Sequence, residues 1–271
     1  MSTQISAMAS VDPQAIIGAD VQIGPFCVIG PGVKIGDRTK LISHVAIHGP
    51  ATIGSDNCFH PTAVIGGDPQ DLSFSGTETR LEIGNGNTFR EGVTVNRGAE
   101  KEEGVTRIGN DNMLMANSHV AHNCQIANNV ILVNGVLLGG HVQVQDNVII
   151  SGNSVVHHFS TLGTLCFVSG LSRVPHDVPP YMMWAGGDDS RVRTINVVGM
   201  QRRGISHETI RVIKKVQRLI YRDCKKVDFA AETLHELLGN DWPAEVTHLM
   251  DFLGHGGSGR QGRRREVPKA A

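Results

Sequence analysis

Aromatic residues are scarce: Phe, Trp and Tyr make up 4% of the 271 residues, with only 2 Trp and 2 Tyr. Small aliphatic side chains must therefore fill the core. Nothing resembles the aromatic interleaving on which nucleic-acid bases stack, which argues against a nucleic-acid partner. No stretch approaches about 18–20 consecutive apolar residues, so no membrane-spanning helix is expected. The opening MSTQISAMAS has neither a basic cluster nor an apolar run, and the chain reads as cytoplasmic. The five cysteines (Cys27, Cys58, Cys124, Cys166, Cys224) are scattered, odd in number and form no CxxC pair. Neither a disulfide framework nor a cysteine zinc site is indicated.

What the chain does have is a rhythm. Aliphatic or aromatic residues return every sixth position from Ile17 through Ile23, Ile29, Ile35, Leu41, Ile47, Ile53, Phe59 and Ile65. The phase resumes at Ile83, Phe89 and Val95, slips by one, and runs from Ile108 to Val174. A period of six fits neither an α-helix nor a simple strand. It fits a parallel β-helix with three short faces per coil and one inward apolar residue per face. Residues 18 apart then become vertical neighbours. The repeat is interrupted at about 66–80 and about 98–107, both read as protruding loops, and long loops in a compact repeat are more often functional than accidental.

The repeat ends near Pro175–Tyr181, and residues 1–187 form the expected β-helical domain. Residues 188–253 read as a small helical domain. One helix is capped by Ser206 and runs to about Cys224, a second follows Asp228 to Gly239, and a third follows Pro243 to Leu253. Residues 254–271 read as a disordered tail. Residues 1–187 carry nine Lys and Arg against fifteen Asp and Glu, whereas residues 188–271 carry sixteen against eleven. Arg211, Lys214, Arg218 and Arg222 line one face of the first helix, a surface suited to an acidic partner.

Counting in eighteens from His122 gives Gly140 and then His158, with His141 and His157 on either side of that column. Coils stack about 4.8 Å apart, so these residues should gather at one edge of the prism. If the slip before Ile108 is a seven-residue insertion, Asn96 joins the column of His157. Such a cluster suits general-base catalysis by a neutral imidazole, with the Gly140 N–H open to a developing oxyanion. Three imidazoles around a metal would suit the same spacing.

Several strings in this order are similar to the UDP-N-acetylglucosamine O-acyltransferases of lipid A biosynthesis, from about residue 8 to about residue 253. They are IGPFCVIGP (23–31), PQDLSFSG (69–76), GNDNMLMANSHVAHNC (109–124), LGGHVQV (138–144), VVHHF (155–159), DVPPY (177–181) and QRRGIS (201–206). The resemblance implies a left-handed β-helix and a homotrimer with active sites between subunits. It also implies transfer of a 3-hydroxyacyl chain from acyl carrier protein to the glucosamine 3-hydroxyl of UDP-GlcNAc. No metal or cofactor is implied beyond the carrier's phosphopantetheine arm. His122 then falls on the catalytic base, Gly140 on the oxyanion donor, and His141 and His157 on active-site histidines. Gln70 and Asp71 fall on sugar-contacting positions, and Asn196, Arg202 and Arg203 lie near the nucleotide or its phosphates. Phe167 and Gly170 fall where acyl length is limited, and the basic helix face would meet the carrier protein.

The chain departs from the family pattern in places. Asn123 stands where Asp usually follows the base, Ser73 where Lys is common and Asn96 where His is common. His158 replaces the usual Gln, Gly186-Gly187-Asp188 replaces Gly-Asn-His, and Val198 replaces an acidic residue. Three alternatives therefore stay open: a related hexapeptide acyltransferase acting on another nucleotide sugar, including a 3-amino one; a γ-type carbonic anhydrase; and a non-catalytic trimeric scaffold.

Overall fold

The computed structural model describes residues 2–255, 259–260 and 262–266. Its first two-thirds is a stack of coils made of very short strands, most of them two to four residues long. Three sheets of eleven, nine and eight strands run along the stack. The pairing is parallel and joins residues 18 apart, as in Gln4↔Gln22, Val28↔Ala46 and Ile131↔Ile149. Two coils are longer. Cys58 pairs with Thr88 and Thr88 with Met113, so one coil gains twelve residues and the next gains seven. The phase slip before Ile108 is therefore the expected seven-residue insertion.

From Ile23 to Val174 every residue named in the six-residue series is buried, and Ile17 at the end coil is partly buried. A second inward slot lies two residues before each of these and holds Val21, Cys27, Val33, Val45, Cys124 and Cys166. Three of the five cysteines are thus small core fillers. Each buried aliphatic side chain contributes about 1.5–3 kcal/mol through the apolar surface it removes from water. The prism is too narrow for many rings, which accounts for the aromatic poverty. The stacked pair Phe59–Phe89, centroids 4.6 Å apart, is an exception at the first enlarged coil.

The corners repeat a tight turn whose third residue has positive φ, and most of these residues are not glycine. Asn123 (φ 59°), His141 (φ 62°) and Phe159 (φ 64°) occupy that position in three successive coils. The left-handed conformation is costly for a residue with a Cβ. Here the ladder offsets the cost, because each such N–H donates to the coil before it, as in His141 N to His122 O and Phe159 N to Gly140 O, both 3.0 Å.

The stack closes with an antiparallel pair, 182–185 against 191–195, which extends the largest sheet past the expected border at 187. Four helices follow: α1 (Val197–Arg202), α2 (His207–Gln217), α3 (Val227–Leu238) and α4 (Ala244–Gly254). Ser206 caps α2 as expected, accepting from Thr209 N at 3.0 Å. The helix does not continue regularly to Cys224, however, but widens into a π-helical turn over Arg218–Arg222. Helix α3 starts one residue before Asp228, and α1 has no counterpart among the helices expected from the sequence. No described helix is long and apolar enough to cross a membrane.

The disorder expected of 254–271 does not hold for its described residues. Gly254 ends α4, and residues 262–266 lie along the β-helix: Arg263 donates to Pro175 O at 2.7 Å and Arg264 N to Asp177 Oδ2 at 3.1 Å. Residues 256–258, 261 and 267–271 lie outside the described residues.

Candidate active site

The register joins Val95 to Val120, Val120 to Leu138 and Leu138 to Val156. One step beyond each strand, the chain turns the same corner. Asn96, Ala121, Gly139 and His157 therefore form one column, and His122, Gly140 and His158 the next. The edge-on rings of His122 and His141 lie 5.2 Å apart. His141 stacks on Phe159 at 4.3 Å, and His157 and His158 are 3.7 Å apart.

His122 is held by an uncharged partner. Its Nδ1 lies 2.9 Å from Asn123 Oδ1. The Asn123 amide is oriented by its other bonds: Nδ2 donates to the carbonyls of Ala99 and Lys101, and Oδ1 accepts from Ala99 N. Oδ1 can only accept, so His122 Nδ1 carries the hydrogen and Nε2 carries the lone pair. Burial pushes the His122 pKa below the ordinary imidazole value of 6.5, an effect that the bond to Asn123 opposes. At neutral pH the ring is a free base.

Gly140 stands directly against that base. A Cβ built on it would come within 2.8 Å of His122 Cε1 and Nε2, closer than real side chains approach, so any other residue here would displace the His122 ring or the corner. Its N–H makes no backbone hydrogen bond among the described residues.

The two inserted loops meet beside His122. Asp71 Oδ2 is 4.0 Å from His122 Nε2, and Lys101 of the second loop reaches the same oxygen at 2.9 Å. Ser73 donates to the other carboxylate oxygen through its backbone N–H and its hydroxyl. Lys101 foremost, and then Ser73, hold this carboxyl well below the usual carboxylate range. Ser75 donates to Glu100 across the loops, and Arg97 lies over the Phe74 ring. Gln70 is exposed on the same loop. Asn96 is buried: its Nδ2 donates to Asp68 O at 2.8 Å, while its Oδ1 has no partner.

Other expected residues lie apart from this cluster within the chain. Asn196 caps α1, accepting from Gly199 N and donating to Leu165 O, so its amide serves the fold. Arg202 and Arg203 are exposed at the end of α1. Phe167 is a half-buried strand residue and Gly170 sits in an exposed turn. Arg211, Lys214, Arg218 and Arg222 do come together, lining a shallow cavity of about 570 Å³ with Lys215 and Asp223. Among the described residues, no three His, Cys, Asp or Glu side chains converge as a metal's donors would.

The family described as bacterial transferase hexapeptide (six repeats) matches residues 2–37, 14–47 and 106–140. The family described as Udp N-acetylglucosamine O-acyltransferase, domain 2, matches residues 177–262. The acyl-(acyl-carrier-protein)–UDP-N-acetylglucosamine O-acyltransferase of Sinorhizobium fredii is 40% identical over 252 residues, covering 93% of this chain and 92% of its own length. The chain belongs to the UDP-N-acetylglucosamine O-acyltransferase family. The protein of the same name from Synechocystis is 44% identical, covering 83% of this chain and 79% of its own. The crystal structure of the UDP-N-acetylglucosamine acyltransferase from Bacteroides fragilis superposes with a TM-score of 0.87 at 38% identity, covering 92% of this chain and 96% of its own. The left-handed parallel β-helix with a small helical C-terminal region is the fold this family shares.

Lys101, Glu102, Phe159 and Arg265 were not singled out in the sequence, yet all four border the cluster. A signal existed for the first two, since the seven-residue insertion lies one coil before His122. Phe159 follows from the Asn123–His141 column extended by 18. Arg265 had none, because a polar tail carries no period to locate it.

Proposed function

We propose that the chain transfers a 3-hydroxyacyl group from acyl carrier protein to the 3-hydroxyl of UDP-GlcNAc, the entry step of lipid A biosynthesis. The observation that carries the reading is the packing of Gly140 against an imidazole whose Nδ1–H is held and whose Nε2 is free. His122 Nε2 accepts the proton of the sugar hydroxyl as its oxygen attacks the thioester carbonyl carbon. The charge that develops on the carbonyl oxygen is met by the Gly140 N–H. As the C–S bond breaks, the His122 imidazolium returns the proton to the thiolate, leaving ester and free carrier thiol. Asp71, locked by Lys101 and Ser73, is placed to accept from a sugar hydroxyl or amide.

The family resemblance implies active sites between neighbouring subunits, and we infer a homotrimer working in the cytoplasm. In that assembly Asn196, Arg202 and Arg203 serve the nucleotide, with Asn196 acting through the start of α1, and Phe167 and Gly170 border the acyl groove. The basic face of α2 and its π turn receives the acidic carrier protein. His157 and His158 complete the histidine edge on the acyl side, and Gln70 and Asn96 lie on the sugar side. No cofactor is needed beyond the carrier's own pantetheine.

The test is to incubate the chain with UDP-GlcNAc and a series of 3-hydroxyacyl carrier proteins, locating any acyl group by mass spectrometry. A 3-O-acyl product, lost by about 10²–10⁴-fold in His122→Ala, is expected. Acyl transfer only to a 3-amino nucleotide sugar would contradict the assigned acceptor, and retained activity in His122→Ala would contradict the assigned base.

A further inference from the structure

The second histidine of the site has a carboxylate of its own. His141 is only 3% exposed, and its buried Nδ1 lies 3.1 Å from Glu102 Oε2. The approach is close but off-axis, and Nδ1 has no aligned hydrogen-bond partner. Glu102 is itself fixed from the far end of the chain. Arg265 Nη2 reaches Glu102 Oε1 at 3.0 Å while Nη1 donates to the backbone oxygen of His141 at 2.7 Å. One guanidinium therefore clamps both the carboxylate and the backbone of the histidine it faces. On its other side the His141 ring lies flat on Phe159, and its edge faces His122.

This arrangement is placed by the two least regular parts of the chain. Glu102 sits at positive φ (54°) in the seven-residue insertion, whose carbonyls at Ala99 and Lys101 are held by Asn123. Arg265 belongs to the C-terminal strap. The strap is anchored by Arg263 to Pro175 O and to Glu266, by Arg264 N to Asp177, and by the Arg264 guanidinium 4.2 Å over the Phe252 ring. At Nδ1 the base therefore has a neutral amide, and the neighbouring histidine has a carboxylate.

We propose that Glu102 is a positioning residue for His141 and that the C-terminal strap, through Arg265, is part of the active site because it fixes Glu102. A carboxylate accepts and does not donate, so at this distance it selects the tautomer with hydrogen on Nδ1. With the ring rotation set by Phe159, His141 Nε2 is the atom offered to substrate beside the base. The close His141 ring foremost holds the Glu102 carboxyl below its ordinary range, with Arg265 adding to the effect, so Glu102 is anionic at neutral pH. Outer partners of this kind set the orientation of the imidazole they touch without meeting substrate themselves.

The inference rests on the acyl-transfer reading for its kinetic consequence but not for its geometry, so two measurements on the full chain are made. In the first, the 15N signals of the His141 ring are recorded. The wild type should show a single Nδ1–H form, and Glu102→Ala a mixture of tautomers. Identical ring signals in the two proteins would overturn the contact, whether or not the chain transfers acyl groups. In the second, kcat and KM are measured for the variants. Glu102→Ala should lose about tenfold in kcat, as expected when a reacting group is slightly misplaced, with little change in KM for the carrier protein. Glu102→Gln retains an acceptor and should recover most of that loss. Arg265→Gln should lose less, and its loss should shrink in the Glu102→Ala background, where only its bond to the His141 carbonyl is left to remove. Glu102→Ala activity within about twofold of wild type, or equal losses in Ala and Gln variants that track a falling melting temperature, would overturn the positioning role. An inactive wild type with the expected ring signals would place the fault in the acyl-transfer reading instead.

Discussion

At the scale of single residues, the site depends on what stands beside two ring nitrogens. Asn123 gives His122 Nδ1 an acceptor without a charge, and burial lowers the ring's pKa against the opposing effect of that bond. Gly140 leaves Nε2 uncovered. Gly140→Ala would place a methyl group 2.8 Å from that ring, and either the ring or the corner must shift. The expected result is a loss of about 10²-fold in kcat with the melting temperature nearly unchanged, read from steady-state kinetics beside a thermal scan. The His122–Gly140–His158 column was legible in the periodicity of the sequence, because a parallel stack converts spacing into contact. The contacts that the loops make with those residues could not be read from the period. Asp71, Lys101 and Glu102 reach the corner from loops, and a loop has no period from which direction can be read.

At the scale of elements, the short strands and the helices differ in how much the sequence revealed. Each coil repeats one inward slot every six residues, and a rule applied some twenty times tolerates one slip without ambiguity. The second inward slot, two residues earlier, was less visible because it mixes Val with Ala, Cys, Ser, Thr and Asn, residues that also occur on surfaces. Helix α1 is six residues long and starts from a capping asparagine, too short to show an apolar face. The π turn at Arg218–Arg222 is a local widening that apolar spacing does not report, yet it carries two of the four basic residues. Helix α2 depends on Ser206, whose hydroxyl accepts from Thr209 N. Ser206→Ala should lower stability by about 1 kcal/mol, measured by denaturant unfolding, and leave kcat unaltered.

Across the whole molecule, charge and insertions are distributed with a purpose. The β-helical part carries the acidic excess, and the basic excess of residues 188–271 falls mostly in the tail. Arg211, Lys214, Arg218 and Arg222 line a single exposed cavity. An acidic carrier, if it docks there as proposed, would be steered by charges that salt screens. Raising the salt from about 0.05 to about 0.5 M, across which the Debye length falls well below 10 Å, should raise KM for the carrier protein several-fold and leave kcat nearly constant. The tail shows where composition misleads. Its glycines and arginines read as unstructured, but three successive arginines each find an acceptor that the fold presents: Pro175 O, Asp177 and Glu102. Composition describes a segment's own capacity to form a core, not the partners waiting on another part of the chain.

If His122 works as a neutral general base, the pH dependence of kcat/KM for the sugar nucleotide must carry the signature of its ring. The rate must fall as the imidazole takes up a proton, so the acid limb should lie below the ordinary value of 6.5. In Asn123→Asp, a carboxylate at Nδ1 would stabilise the imidazolium, and the limb should move up by about one pH unit or more. An acid limb at or above 6.5 in the wild-type protein, or no limb at all, would contradict the assignment of His122 as the base.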